Sequence, residues 1–349
     1  MKFELRSLAL AGVAAVALTG TAAAQDTRDT IRIVGSSTVF PFSTAVAEQF
    51  GQTSDFPTPV VESTGSGGGL KLFCAGVGVE HPDMTNASRR IKQSEIDRCA
   101  GNGVTGITEV KVGFDGIVLG NSRRSDRMNI DIPSLWLALA AGVPDENGNI
   151  VGNPYIMWNE IDPQLPAAAI RVMGPPPTSG TRDAFVELVM EEGCKHFDAV
   201  TAIEESDEDR YEAICASIRE DGAFVEAGEN DNLIVQKLEA DPDAFGIFGF
   251  SFLDQNRDRI QGSMIAGVAP TFDNIAAGDY PVSRSLYFYV KNAHIGAVPG
   301  IREYVTAFTS EDAWGPFGYL ADKGLIPLPD ADRAAMAESA RSAMPLAGL

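Results

Sequence analysis

The chain has 349 residues, 44% of them hydrophobic, with 48 carboxylates against 27 lysines and arginines and a formal net charge of −21. So acidic a chain excludes nucleic acid and anionic lipid as partners, and its overall field does not draw in a small anion. An anion site in this protein has to work through local dipoles and hydrogen bonds.

At the start, Lys2 and Arg6 precede an apolar run, residues 8–18, that is too short to span a bilayer. Ala22-Ala23-Ala24 supplies a small-residue cleavage site, so residues 1–24 read as a secretory signal peptide removed ahead of Gln25. The mature chain is expected to be soluble and exported, with no membrane insertion. It is too long for one ordinary core and points to two lobes. Four cysteines in an exported protein imply two disulfides. Of three possible connectivities, Cys74–Cys99 with Cys194–Cys215 closes the shortest loops and keeps each bridge within one lobe. Neither pair is CxxC, and His81, His196 and His294 share no ligand spacing, so no metal or other cofactor is expected.

Three stretches rich in glycine and hydroxyls organise the rest. Ile31-Arg32-Ile33-Val34 is a β-rich run that enters Gly35-Ser36-Ser37-Thr38, after which Phe42, Ala45, Val46 and Phe50 form one apolar helical stripe. Residues 59–63 repeat the arrangement ahead of Gly65-Ser66-Gly67-Gly68-Gly69 and the stripe Leu70, Phe73, Cys74. A capping box is expected at Ser94 with Asp97, and residues 101–106 form a turn. The strand predicted over 110–119 contains Gly113-Phe114-Asp115-Gly116, where Asp115 reads equally as a solvated bend or as an acceptor facing a cleft. Residues 135–141 look helical, and Asp145, Asn147 and Asn149 form a structural turn with the wrong spacing for calcium. A strand over 169–173 leads through three prolines to Thr178-Ser179-Gly180-Thr181-Arg182, followed by Phe185, Leu188 and Val189. The acidic run 202–212 is a solvated helix face, and 244–253 and 286–290 read as buried strands. Ile301, Tyr304, Val305 and Phe308 mark a helix, as does the alanine-rich stretch 330–344. Strands alternating with helices give an α/β architecture. Each glycine–hydroxyl stretch opens a helix, where unpaired N–H groups and the helix dipole favour an anion. Singly each is an N-cap; together they suggest one pocket where helix N-termini converge.

Taken together, Gly35-Ser36-Ser37-Thr38-Val39-Phe40-Pro41, the loop 65–70, Asn86-Ala87-Ser88-Arg89, the loop 178–182, Gly300-Ile301-Arg302-Glu303-Tyr304, Gly318-Tyr319-Leu320-Ala321 and Gly324-Leu325-Ile326-Pro327 resemble the periplasmic phosphate-binding proteins of bacterial phosphate ABC importers. The resemblance covers nearly the whole mature chain in order. It implies a two-lobed, type II periplasmic binding protein, with the chain crossing between lobes near 116–122 and 270–282. Lobe I would be 25–118 plus 280–349, and lobe II 119–279. The implied function is capture of inorganic phosphate and its delivery to the membrane permease, by a monomer in the periplasm that is not an enzyme. By motif match Ser37, Thr38, Ser66, Ser179, Gly180 and Thr181 carry over as phosphate contacts, with the Val39 and Gly67 backbone as substitutes where the first two loops align ambiguously. Where some members have Ala-Ser-Asp, this chain has Ala87-Ser88-Arg89; another branch pairs an arginine there with an Asp-Gly in the next strand, as Asp115-Gly116 here. Arg89 and Arg182 then become charge partners and Asp115 the acceptor of the phosphate proton, with Asp83 the second choice. A site for sulfate or molybdate is the alternative. An exported phosphatase is less supported, since the sequence has no His cluster, GxSxG elbow or paired metal carboxylates.

Overall fold

A computed structural model describes residues 28–177, 179–228 and 231–346. The signal-peptide reading (1–24) and Thr178 of the third loop fall outside the described residues. Among the described residues, no helix is long and apolar enough to cross a membrane.

The chain starts with β1 (Arg32–Gly35), whose Ile33 and Val34 are buried, followed by α1 (Phe40–Thr53) with Phe42, Val46 and Phe50 on its inner face. Next come the edge strand β2 (Val60–Ser63), α2 (Ser66–Phe73), β3 (Met84–Ala87) and α3 (Gln93–Gly101). β1 pairs in parallel with both β2 and β3. The helix α3 starts one residue before the expected Ser94, and its start is closed by Glu95, whose Oε2 accepts from Lys92 N at 2.8 Å, in place of the Ser94–Asp97 box. Glu95 lies three residues past Lys92, the spacing that reaches back to a cap N–H.

The long strand β4 (Ile107–Ser122) joins the two halves of the sheet. Residues 107–116 pair antiparallel with the return strand Ser283–Lys291, which also pairs with β3. Residues 117–121 pair instead with Phe245–Gly249, and the last three with Ile260–Gly262. Beyond Phe245–Gly249 follow two parallel neighbours, Val172–Gly174 and Phe224–Glu226. The apolar interior divides at the same place. Val110 and Val112 pack with Val46, Phe288 and Phe308, whereas Phe114 and Val118 pack with Trp136, Phe185 and Phe248. Ile117 N donates to Val282 O at 2.9 Å, so the outgoing and returning passes lie side by side. The C-terminal segment is stitched on here too, with Phe114 N to Ile326 O at 2.8 Å and Ile326 N to Phe114 O at 3.0 Å. Gly113 permits this approach, because a Cβ there would lie 2.4 Å from Ile326 O.

The structure joins Cys74 to Cys99 and Cys194 to Cys215. The expected strand over 244–253 is only half strand: it ends at Gly249, and Phe250–Gln255 is a helix. A buried apolar run does not by itself distinguish the two. The helices at Ile132–Leu139, Ile301–Phe308 and Asp330–Arg341 occupy the expected stretches. Asp145 closes its own turn, accepting from Asn147 N and Asn149 N.

Candidate functional site: an oxyanion cleft

The first and third loops meet over a cavity of about 410 Å³ lined by Ser37, Thr38, Asp115, Ser179, Gly180 and Thr181, with Phe40, Ser251, Phe252, Asp322 and Lys323 completing its wall. The first loop is fixed to the carboxyl end of β3, since Ser36 N donates to Asn86 O at 3.0 Å and Ser43 Oγ to Asn86 Oδ1 at 3.0 Å. The helix itself begins only at Phe40, with Pro41 in its first turn. Ser37 and Thr38 therefore precede the helix as a tight turn closed by Phe40 N to Ser36 O at 3.0 Å.

The third loop opens a continuous helical segment over residues 180–194 that includes one π turn, Val186–Met190. Ser179 caps it: its Oγ accepts from Thr181 N at 3.2 Å and its O from Asp183 N at 3.1 Å. The Ser179 hydroxyl proton remains available to the cavity. The two loops almost touch. A Cβ on Gly180 would lie 3.6 Å from Ser37 O and 3.7 Å from the Thr38 Cα.

Asp115 lies on β4 just before the change of pairing partner, with Arg284 directly opposite on the return strand. Burial pushes the Asp115 carboxyl above the ordinary carboxylate range, and the Arg284 guanidinium acts against that. Arg284 Nε is 3.5 Å from Asp115 Oδ2, and both atoms are buried without a hydrogen-bond partner. Arg284 Nη2 donates to Thr38 Oγ1, and Nη1 donates to Glu187. Because Thr38 Oγ1 accepts from Arg284, its single hydroxyl proton is left to point elsewhere. Sequence reasoning missed Arg284. The only signal for it was its place just after Tyr280-Pro281, and using that requires the register between two distant strands.

Three expected contacts lie apart from this wall. Ser66 Oγ accepts from Ser88 N at 3.0 Å and lies 3.1 Å from Ser88 Oγ. Arg89 makes a bidentate pair with Glu95, at 2.9 and 2.8 Å. The Glu95 hydrogen bond raises the Arg89 pKa further; Glu95, against the effect of burial, is held below its ordinary value. Arg182 donates to Pro175 O at 3.2 Å and stacks on the Phe224 ring at 4.7 Å, and burial lowers its pKa. Asp83 is fully buried and committed elsewhere, to Arg28, the Arg32 N–H and His294. Of the second loop's glycines Gly69 serves packing: a Cβ there would lie 2.4 Å from the Gly35 Cα, so α2 lies directly against β1.

Residues 20–312 match the model of the PBP superfamily domain. The chain belongs to the PBP superfamily. Its curated relatives in that superfamily include Protein SphX of Synechococcus elongatus, 28% identical over 302 residues that cover 84% of this chain and 76% of that one. The phosphate-binding protein PstS of Staphylococcus saprophyticus is 25% identical, covering 85% and 80%. Among solved PBP-type structures, a possible phosphate-binding protein from Planctomyces limnophilus superposes with a TM-score of 0.70 at 27% identity, covering 90% of this chain and 98% of that one. An ABC-type phosphate transport receptor from Vibrio cholerae shares the fold at a TM-score of 0.55 and 18% identity. The architecture is the α/β, type II periplasmic binding protein form that the sequence leads one to expect, its halves joined by β4 and the return strand.

Proposed function

We propose that this protein captures inorganic phosphate in the cleft and delivers it to the membrane permease of an ABC importer. The observation that carries the reading is the Asp115–Arg284 pair between two hydroxyl-bearing loops. A phosphate ion presents both acceptor oxygens and a proton-bearing oxygen. Thr38, Ser179, Thr181 and the N–H groups around Gly180 supply donors, Arg284 supplies charge, and Asp115 accepts the proton that sulfate lacks. A carboxylate facing an acceptor-only oxyanion in a dry cleft is repulsive, which is how such a site rejects the wrong ligand. The phosphate-binding names of the relatives support the same reading.

The proposed lobes are 25–118 with 280–349 and 119–279. In support, the cores change between Val112 and Phe114 and the sheet pairing changes after Gly116. The protein acts as a monomer in the periplasm, released from its signal peptide, and binds without catalysis. The deciding experiment is calorimetric titration of the mature chain with phosphate and with sulfate. Phosphate binding that excess sulfate leaves unchanged supports the reading, and sulfate binding of equal strength overturns it. Release of phosphate from a chromogenic phosphoester by the same preparation would put an exported phosphatase in its place.

A further inference from the structure

We propose that Glu187 is a resident competitor for Arg284, one that an incoming oxyanion displaces and that thereby sets the affinity of the cleft. The inference rests on the phosphate reading above. The Arg284 side chain is only 8% exposed, and its guanidinium is divided among three elements. Nη2 donates to Thr38 in the first loop, Nε faces Asp115 on β4, and Nη1 donates to Glu187 on the helical segment that the third loop opens. Glu187 sits in the π turn Val186–Met190, whose extra residue shifts the phase of the helix; such turns recur at functional sites.

Arg284 has few deputies. Arg89 is bound to Glu95, and Arg182 is turned to Pro175 O and the Phe224 ring. Lys323 is the cation that lines the cavity itself, and Arg284 lies behind the wall formed by Thr38 and Asp115. With both carboxyls ionised, Asp115 and Glu187 outweigh the one guanidinium between them. Arg284 keeps donors to offer, Nε among them, but an oxyanion that joins both carboxylates at one guanidinium adds a third negative group, and exchange for one of the two relieves that excess. The Asp115 side chain is 16% exposed, lines the cavity and is the group suited to accept a protonated oxygen. Glu187 is 47% exposed, so turning its carboxylate to water costs it little. After the exchange Arg284 is still held by Thr38 and by its strand. Glu187 is the group that leaves.

The test is calorimetric titration of the mature chain with inorganic phosphate, on wild type, Glu187→Gln, Arg284→Gln, the double variant, and Asp322→Asn. Asp322 is a second carboxylate on the cavity wall and reports the general field. Glu187→Gln should tighten phosphate binding by roughly 3- to 10-fold, the range of a partly exposed ion pair released together with its like-charge repulsion. Asp322→Asn should gain clearly less, and the double variant should bind no better than Arg284→Gln alone. Unchanged or weaker binding by Glu187→Gln overturns the inference, as does an equal gain in the Arg284→Gln background or in Asp322→Asn. If Arg284→Gln does not fold by its thermal melt, Arg284→Lys takes its place in the cycle. Wild-type protein that fails to bind phosphate sinks the phosphate reading as well; wild-type binding with no gain in Glu187→Gln sinks this inference alone.

Discussion

At Asp115 burial and the Arg284 guanidinium act on one carboxyl in opposite directions, and burial is the stronger. The carboxyl accepts a proton-bearing oxygen only when ionised. Phosphate affinity should therefore fall as pH drops, beginning above the ordinary carboxylate range. Asp115→Asn, which has no such titration, corrects for the ligand's own protonation in the same series. That variant should also bind phosphate more weakly and lose its exclusion of sulfate; normal affinity with sulfate still ignored would make Asp115 a bend residue. Thr181→Ala should weaken phosphate by roughly 10- to 150-fold, the usual loss for one hydrogen bond to a charged group. A calorimetric change under about threefold would reduce the third loop to a helix cap. Away from the cleft, burial lowers the Lys291 pKa to about 8 from 10.5. Between those values the unfolded chain binds the extra proton, so this group's contribution to stability rises with pH across that window. The melting-temperature difference between wild type and Lys291→Met should accordingly shift in favour of wild type from about pH 8 upward. That Ser37, Thr38 and Ser179 to Thr181 line one cavity was foreshadowed in the sequence because glycine and hydroxyls beside a helical stripe are a local signal. The same signal at Ser66 falls outside the cavity lining, and there Gly69 lets α2 pack on β1.

Among the elements, β4 shows how far local pattern reaches. Its apolar run marks a strand over 110–119, and the strand extends to Ile107–Ser122. What the run does not reveal is that one strand serves two partners, because pairing is a property of segments far apart in the chain. Arg284 was hidden for the same reason, since it meets Asp115 only through the register of the return strand. The bridges Cys74–Cys99 and Cys194–Cys215 span 25 and 21 residues. On the chain-entropy model each contributes about 3 kcal/mol. Replacing either pair by alanine should lower the melting temperature by roughly 6–12 °C, measured by scanning calorimetry. A shift under about 2 °C would show that the reduced chain keeps the same constraint by other means.

For the whole molecule, a net charge of −21 repels the anion that the cleft is proposed to hold. Added salt shortens the reach of that field, to about 10 Å at 0.1 M. The association rate for phosphate should thus rise with potassium chloride in stopped-flow measurements; a rate that falls would reveal a local positive funnel around Arg284 and Lys323. The α/β class and the two-lobed form with two crossings were legible from strand–helix alternation and motif order, while the return of residues 326–328 to the junction was not. That return carries a further consequence. Ile326 bonds to Phe114 in both directions, and Ile326 and Leu328 belong to the core of the middle segment although they come almost last in the chain. A nascent chain cannot complete that junction until nearly all of it has been made. The order of synthesis therefore keeps the two halves from locking together until the last segment emerges.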